Sequence, residues 1–184
     1  MKSTDCAEIE DIPLALLREP LDWFFAEHFR HRQLCQMIDD VADASVHDPQ
    51  RVARIVDFLR FDLPLHVIDE EEDLFPLLRR RALPEDELEQ VLGVLSAEHK
   101  ADVDQARQVR GLLEACLEER SAPGLDPAKQ KTLRAFASQE RHHLAMENAV
   151  ILPIARLRLS VEDLHAMSRR LAARRGQYIE DAPA

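Results

Sequence analysis

A chain of 184 residues, 46% hydrophobic and 32% charged, is long enough to bury a core without disulfide staples and has the composition of one globular domain. Its formal charge, 24 − 35 = −11, argues against nucleic acid or an anionic membrane as partner. The longest apolar run, Ala149–Ala155, falls far short of the ~18–20 residues of a bilayer span. Lys2, Ser3, Thr4 and Asp5 lead into Glu8, Glu10 and Asp11 with no signal-type apolar stretch, so the expected location is cytoplasmic.

Only 4 glycines occur, and Leu, Ala, Glu and Arg outweigh the β-branched and aromatic residues, which is helix-forming composition. Proline marks the helix starts. The spacing predicts a first helix from Pro20 to Ala44 and a second from Gln50 to Arg81, kinked at Pro64. A third runs from Pro84 to Glu119 with a break near Gly93, and a fourth from Pro127 to Leu157, after the loop signal Ser121-Ala122-Pro123-Gly124. A short fifth, Val161 to Arg174, carries an apolar stripe (Val161, Leu164, Met167, Leu171) suited to capping the others. The expected architecture is all-α: an up-down-up-down four-helix bundle with a short extra C-terminal helix. Residues 1–19 form a lead-in, 20–175 the bundle domain and 176–184 a flexible tail, in a monomer or weak homodimer. Cys6, Cys35 and Cys116 are odd in number and scattered, which reads as packing rather than disulfides or a thiolate zinc site.

Each long helix should present an inward seam at alternating spacings of three and four. In the first helix this gives Phe24, His28, His31, Cys35, Ile38 and Ala42, and in the second Leu59, Leu63, His66, Glu70, Leu74 and Leu77. In the third it gives Leu88, Leu92, Leu95, His99, Asp102, Ala106, Val109 and Leu113. In the fourth it gives Leu133, Phe136, Glu140, His143, Glu147, Val150 and Ile154. The ends of every seam are apolar and the middles are not.

One histidine on an apolar face is most simply a hydrogen-bonded core residue. Here all four seams carry one, and His66/Glu70 and His143/Glu147 stand at i, i+4, on one face a turn apart. Burying an unpaired ionised carboxylate costs several kcal/mol, and two would take much of the ~5–15 kcal/mol that holds a domain folded. A metal-free polar core with His–Glu pairing is the bland alternative. Nitrogen and oxygen donors without thiolates suit iron, manganese or zinc. Six donors exceed one tetrahedral zinc, and two ions bridged by the two carboxylates fit the count better.

The two halves repeat each other. Glu27-His28 precedes His66-Val-Ile-Asp-Glu70 and Leu74-Phe75-Pro76; Glu98-His99 precedes His143-Leu-Ala-Met-Glu147 and Ile151-Leu152-Pro153. With this doubled pattern the chain resembles the hemerythrin-like (HHE cation-binding) domain family from about Asp22 to Ile154. The resemblance implies a four-helix bundle around a non-haem di-iron centre, with His28, His66, His99 and His143 as terminal nitrogen ligands and Glu70 and Glu147 as bridges. Oxygen-carrying members have a further histidine one turn before the position of His99. Leu95 stands there, and Val103 one turn after, so a seventh donor would come from His31, Asp102, Glu140 or water. Alternatively His31 orients His28 and Asp102 orients His99, through the second ring nitrogen of each.

Glu71, Glu72 and Asp73 read as a solvated acidic face. Arg79-Arg80-Arg81, and Arg169-Arg170 with Arg174-Arg175, are explained by helix dipoles. By resemblance, the expected function is binding of O2, and of NO, at two iron ions (manganese or zinc as alternatives), for sensing, storage or stress response through an unknown protein partner. The alternatives are a redox enzyme reducing peroxide or NO at the same centre, and an iron-handling protein that repairs iron–sulphur centres.

Overall fold

The computed structural model describes residues 8–180, in which helices and turns occur and no strand. Helix α1 spans Pro20–Asp43. Helix α2 runs without interruption over residues 49–81, α3 spans Leu88–Glu119, α4 covers residues 127–158 and α5 spans Val161–Arg174. Proline opens α1, α2 and α4 at the first turn, where its missing N–H leaves no bond unmade. Asp48 caps α2 by accepting from the Arg51 N–H, and Asp126 caps α4 by accepting from Ala128 and Lys129. At the head of α5, Ser160 and Asp163 form a reciprocal capping box.

α1 packs against α2 and α4, and α3 against the same two, which makes the antiparallel bundle. No break occurs at Gly93, because three α3 seam residues around it, Leu88, Leu92 and Leu95, are buried and hold the helix together. The start of α3 moves instead: Pro84–Asp86 is a short 3-10 turn, and Glu87 at φ 48° turns the chain into the helix. Gly124 is needed where the loop before α4 crosses the end of α1, since a Cβ there would lie 2.2 Å from the Ala44 carbonyl oxygen.

Three internal prolines are accommodated in one way. Phe58–Asp62, Glu70–Leu74 and Glu147–Ile151 are π-turns, and Pro64, Pro76 and Pro153 each lie two residues beyond one. A proline ring collides with the carbonyl four residues back; the wider i→i+5 turn relieves that collision and keeps the helix going. The kink expected at Pro64 is thus absorbed as a bulge. Each π-turn also adds a residue and rotates the helix beyond it. Past Glu147 the seam therefore slips by one: Ile151 and Ala155 are buried, while Val150 and Ile154 are only partly so.

The apolar core is split in two. One cluster gathers Cys35, Ile38, Ile55, Phe58, Leu113 and Phe136, and the other gathers Phe24, Leu78, Leu92, Leu95, Ile151 and Leu171. Between them lies a buried polar layer containing every histidine of the four seams. α5 covers the second cluster, with Met167 and Leu171 fully buried and Val161 left exposed. Ile179, beyond α5, packs on the same cluster. Cys35 and Cys116 are buried and unbridged, as expected of packing residues; Cys6 lies outside the described residues.

Candidate metal centre

The four long helices supply the imidazoles of the polar layer, α1 two (His28 and His31) and the others one each, and two of the π-turns each open on a carboxylate, Glu70 and Glu147. His28, His66, Glu70 and Glu147 form one group whose donor atoms all lie within 4.8 Å of one another; Glu70, His99, His143 and Glu147 form a second. The two carboxylates belong to both groups. Glu147 Oε2 lies 3.4 Å from His28 Nε2 while its Oε1 lies 2.9 Å from His143 Nε2. Glu70 Oε1 lies 3.6 Å from His28 Nε2 while its Oε2 lies 3.1 Å from His99 Nε2.

Each imidazole is fixed through its other nitrogen. His66 Nδ1 donates to Glu27 at 3.1 Å, His99 Nδ1 to Glu71 at 2.6 Å and His143 Nδ1 to Glu98 at 2.9 Å. His28 Nδ1 donates at 3.2 Å to Asn148 Oδ1, whose amide nitrogen is committed to the Leu144 carbonyl. An acceptor at Nδ1 puts the proton there and leaves the Nε2 lone pair facing the centre.

Those inward atoms have nothing else to bond. His28 Nε2, His66 Nε2 and all four carboxylate oxygens of Glu70 and Glu147 are buried without a hydrogen-bond partner. His99 and His143 meet Nε2 to Nε2 at 2.9 Å, two lone pairs face to face unless something positive lies between them. Without a metal, protons must supply that charge. Burial alone would discharge the imidazoles, but the facing carboxylates prevail and push His66 up to about 10, His99 to about 11 and His143 to about 9. Burial likewise opposes the charge on Glu147, yet the His143 and His99 imidazoles, 2.9 and 3.8 Å from its Oε1, would carry those protons and hold it well below the usual carboxylate range. A cluster of orphaned donors that demands positive charge is the chemistry of a metal site.

The family model of the hemerythrin HHE cation-binding domain matches residues 19–155. The chain belongs to this family. It is an all-α HHE domain, a class that binds metal cations, and its His/Glu groups could hold a metal. No curated protein matches it.

Around these two donor groups the contacts differ from those that helix spacing predicts. His31 does not orient His28; its Nδ1 donates to Glu140 at 2.6 Å. Nor does Asp102 orient His99, since its Oδ2 lies 3.9 Å from His143 Nδ1 and its Oδ1 has no partner. None of the three belongs to either donor group; His31, Asp102 and Glu140 instead line a cavity of ≈ 10 Å³ that also touches His66, His99 and His143. The orienting groups come from residues next in sequence to a ligand, which the inward seams do not contain.

The acidic run after Glu70 is not a plain solvated face. Glu71 holds His99, and Asp73 is buried, gripped by Arg170 and Arg174; only Glu72 is exposed. Residues 71 and 73 both lie within the π-turn that opens at Glu70, where the winding is wider than that of a regular helix. The arginines at the end of α5 likewise do more than offset a helix dipole. Arg175 donates to Glu27 at 2.8 Å and to Asp69 at 2.6 Å while lying 4.6 Å from the Trp23 ring centre. Arg174 reaches Asp69 at 2.7 Å. With these bonds, burial notwithstanding, Glu27 is held down at about 2 by His66 and Arg175. Among the described residues no helix is long and apolar enough to cross a membrane.

Proposed function

We propose that this HHE domain holds two iron ions, one at His28 and His66 and one at His99 and His143, bridged by Glu70 and Glu147, and that it binds O2 or NO there. The observation that carries this reading is the set of unpartnered inward atoms in two groups sharing both carboxylates. Manganese or zinc would satisfy the same donors, and iron is favoured because a histidine–carboxylate pair of ions suits O2 and NO chemistry. When bound, iron would supply the electrons and the open coordination position that these ligands need. The chain's own residues fix the imidazoles, exclude water and leave Leu95 where oxygen carriers place a further histidine. Sensing, storage or stress response are the roles in view, in the cytoplasm and through a separate protein partner.

The decisive experiment is iron per chain in protein from iron-replete cells, then spectra of the reduced protein with O2 and with NO. About two irons and a distinct spectrum with either gas support the reading. No iron, or no change with either gas, rejects it.

A second reading is turnover of the same centre, reducing peroxide or NO with electrons from an external reductant. The cavity beside His66, His99 and His143 favours it, because its ≈ 10 Å³ gives room for about one water-sized molecule beside the unpartnered Asp102 Oδ1. Sustained consumption of peroxide or NO, against one stoichiometric burst, separates it from the first.

A further inference from the structure

The doubled sequence makes the two halves of the centre equivalent in their inward donors but not in what stands behind them. Glu71 and Asn148 occupy matching positions, each directly after a bridging glutamate, and each bonds the Nδ1 of a histidine on the other helix hairpin, α1–α2 being one and α3–α4 the other. One is a carboxylate and the other a neutral amide. Glu27 and Glu98 are also matched, each directly before a histidine, and each bonds the Nδ1 of the second histidine of its own hairpin. Yet Glu27 shares its charge with Arg175, whose guanidinium lies 2.8 Å from Oε1. Glu71's second oxygen accepts a neutral hydroxyl, from Ser96 at 3.0 Å, and no arginine is shown on it among the described residues.

A carboxylate behind an imidazole makes the ring a stronger donor; an amide does so less, and a carboxylate neutralised by an arginine less than a free one. Both differences act in the same direction. His99 and His143 each have a carboxylate behind them, at 2.6 and 2.9 Å. His28 has the amide, and His66 has the carboxylate whose charge Arg175, shared with Asp69, partly offsets.

Resting on the two-metal reading above, we infer that the two positions are unequal: His99 and His143 form the retaining position and His28 and His66 the exchangeable one, with Glu71, Asn148 and Arg175 as the residues that set the difference. The protein would therefore keep one ion while the other is lost or replaced, and a mixed pair of metals would assemble with a defined order.

Zinc tests this without any redox chemistry. Protein loaded with zinc is challenged with a chelator in excess, and zinc per chain is tracked with time. The expected course has two phases, with one zinc leaving roughly 10–100 times faster than the other, the range typical of losing a partner behind a histidine ligand. Glu71→Gln should speed the slow phase toward the fast one, and Asn148→Asp should slow the fast phase toward the slow one. Both changes keep the side chain's shape, and a helical spectrum with an unchanged melting profile in the loaded state checks the fold. Loss of both zincs in one phase from the natural protein, or variants that leave the ratio of rates unchanged, overturns the inference. Fewer than two zincs bound per chain at the outset overturns the two-metal reading itself, and that outcome is read before chelator is added.

Discussion

Glu98 is the neighbour of His99 in sequence, but the imidazole it holds is that of His143, at 2.9 Å across the α3–α4 interface. Removing that hold frees the ring to rotate and weakens its Nε2 as a donor. Glu98→Ala should lower metal affinity by roughly 10–100-fold with the helical content retained. Metal per chain after dialysis against graded chelator measures it.

The metal-free protein should depend on pH in an unusual direction. His66, His99 and His143 have folded-state pKa values pushed up to about 10, 11 and 9, above the 6.5 of a free imidazole. Burial opposes these shifts and the surrounding glutamates produce them. A raised value means the folded state binds the proton more tightly than the unfolded chain does. The stabilisation is therefore complete below about pH 6.5 and disappears as pH rises through about 9 to 11. Urea unfolding of chelator-stripped protein between pH 6 and 11 should show falling stability. In loaded protein the same imidazoles must be neutral, so metal affinity should weaken as pH falls. A stripped protein that gains stability on going alkaline would contradict the first expectation.

Asp163 joins the head of α5 to the end of α2. It accepts from Arg81 Nε at 2.7 Å, from Arg80 at 3.1 Å and from the Ser160 backbone at 3.1 Å. The Arg81 hydrogen bond is the main cause that holds its carboxyl at about 2, against 3.8 for a free aspartate, with burial opposing. A depressed value gives stability that is present above the unfolded pKa and lost as pH falls through the folded one. Asp163→Asn should cost about 1–2 kcal/mol at neutral pH, on the scale of a charged hydrogen bond with exposed partners. The gap from the natural protein should close between about pH 4 and 2. Paired denaturation curves at pH 7 and pH 2.5 measure both effects.

Leu95 lies fully buried one turn before His99, on the inward seam of α3. Leu95→His would bring a third imidazole toward the His99/His143 position and, on the proposed two-iron reading, would fill coordination space otherwise open to small ligands. Azide added to the oxidised iron-loaded variant should give a weaker spectral change than in the natural protein, at equal iron content. An equal or stronger azide response would place the open position elsewhere.

Much of the site is legible in the chain because metal ligation and helix periodicity impose the same spacing. His28 and His31, His66 and Glu70, and His143 and Glu147 each stand a turn apart on an apolar seam, and all are buried in the polar layer. The third seam matches without a gap: Leu88, Leu92, Leu95, His99, Asp102, Ala106, Val109 and Leu113 are all buried. The fourth fails only beyond Glu147, where a π-turn accommodates Pro153 and the buried face passes to Ile151 and Ala155. Proline is visible in the sequence. Whether its collision is relieved by a kink or a π-turn depends on which option lets both flanking segments stay packed.

By itself, then, the sequence determined the helices and the buried seam positions of the histidines and glutamates, since each is a matter of residues three, four or seven apart on one helix. The tertiary structure decided which groups stand behind those donors. Glu71 reaches His99, Asn148 reaches His28 and Arg175 reaches Glu27 from segments 28, 120 and 148 residues away. Such contacts depend on how far one helix is rotated against another, and that rotation is set by packing across the whole bundle rather than by any local period.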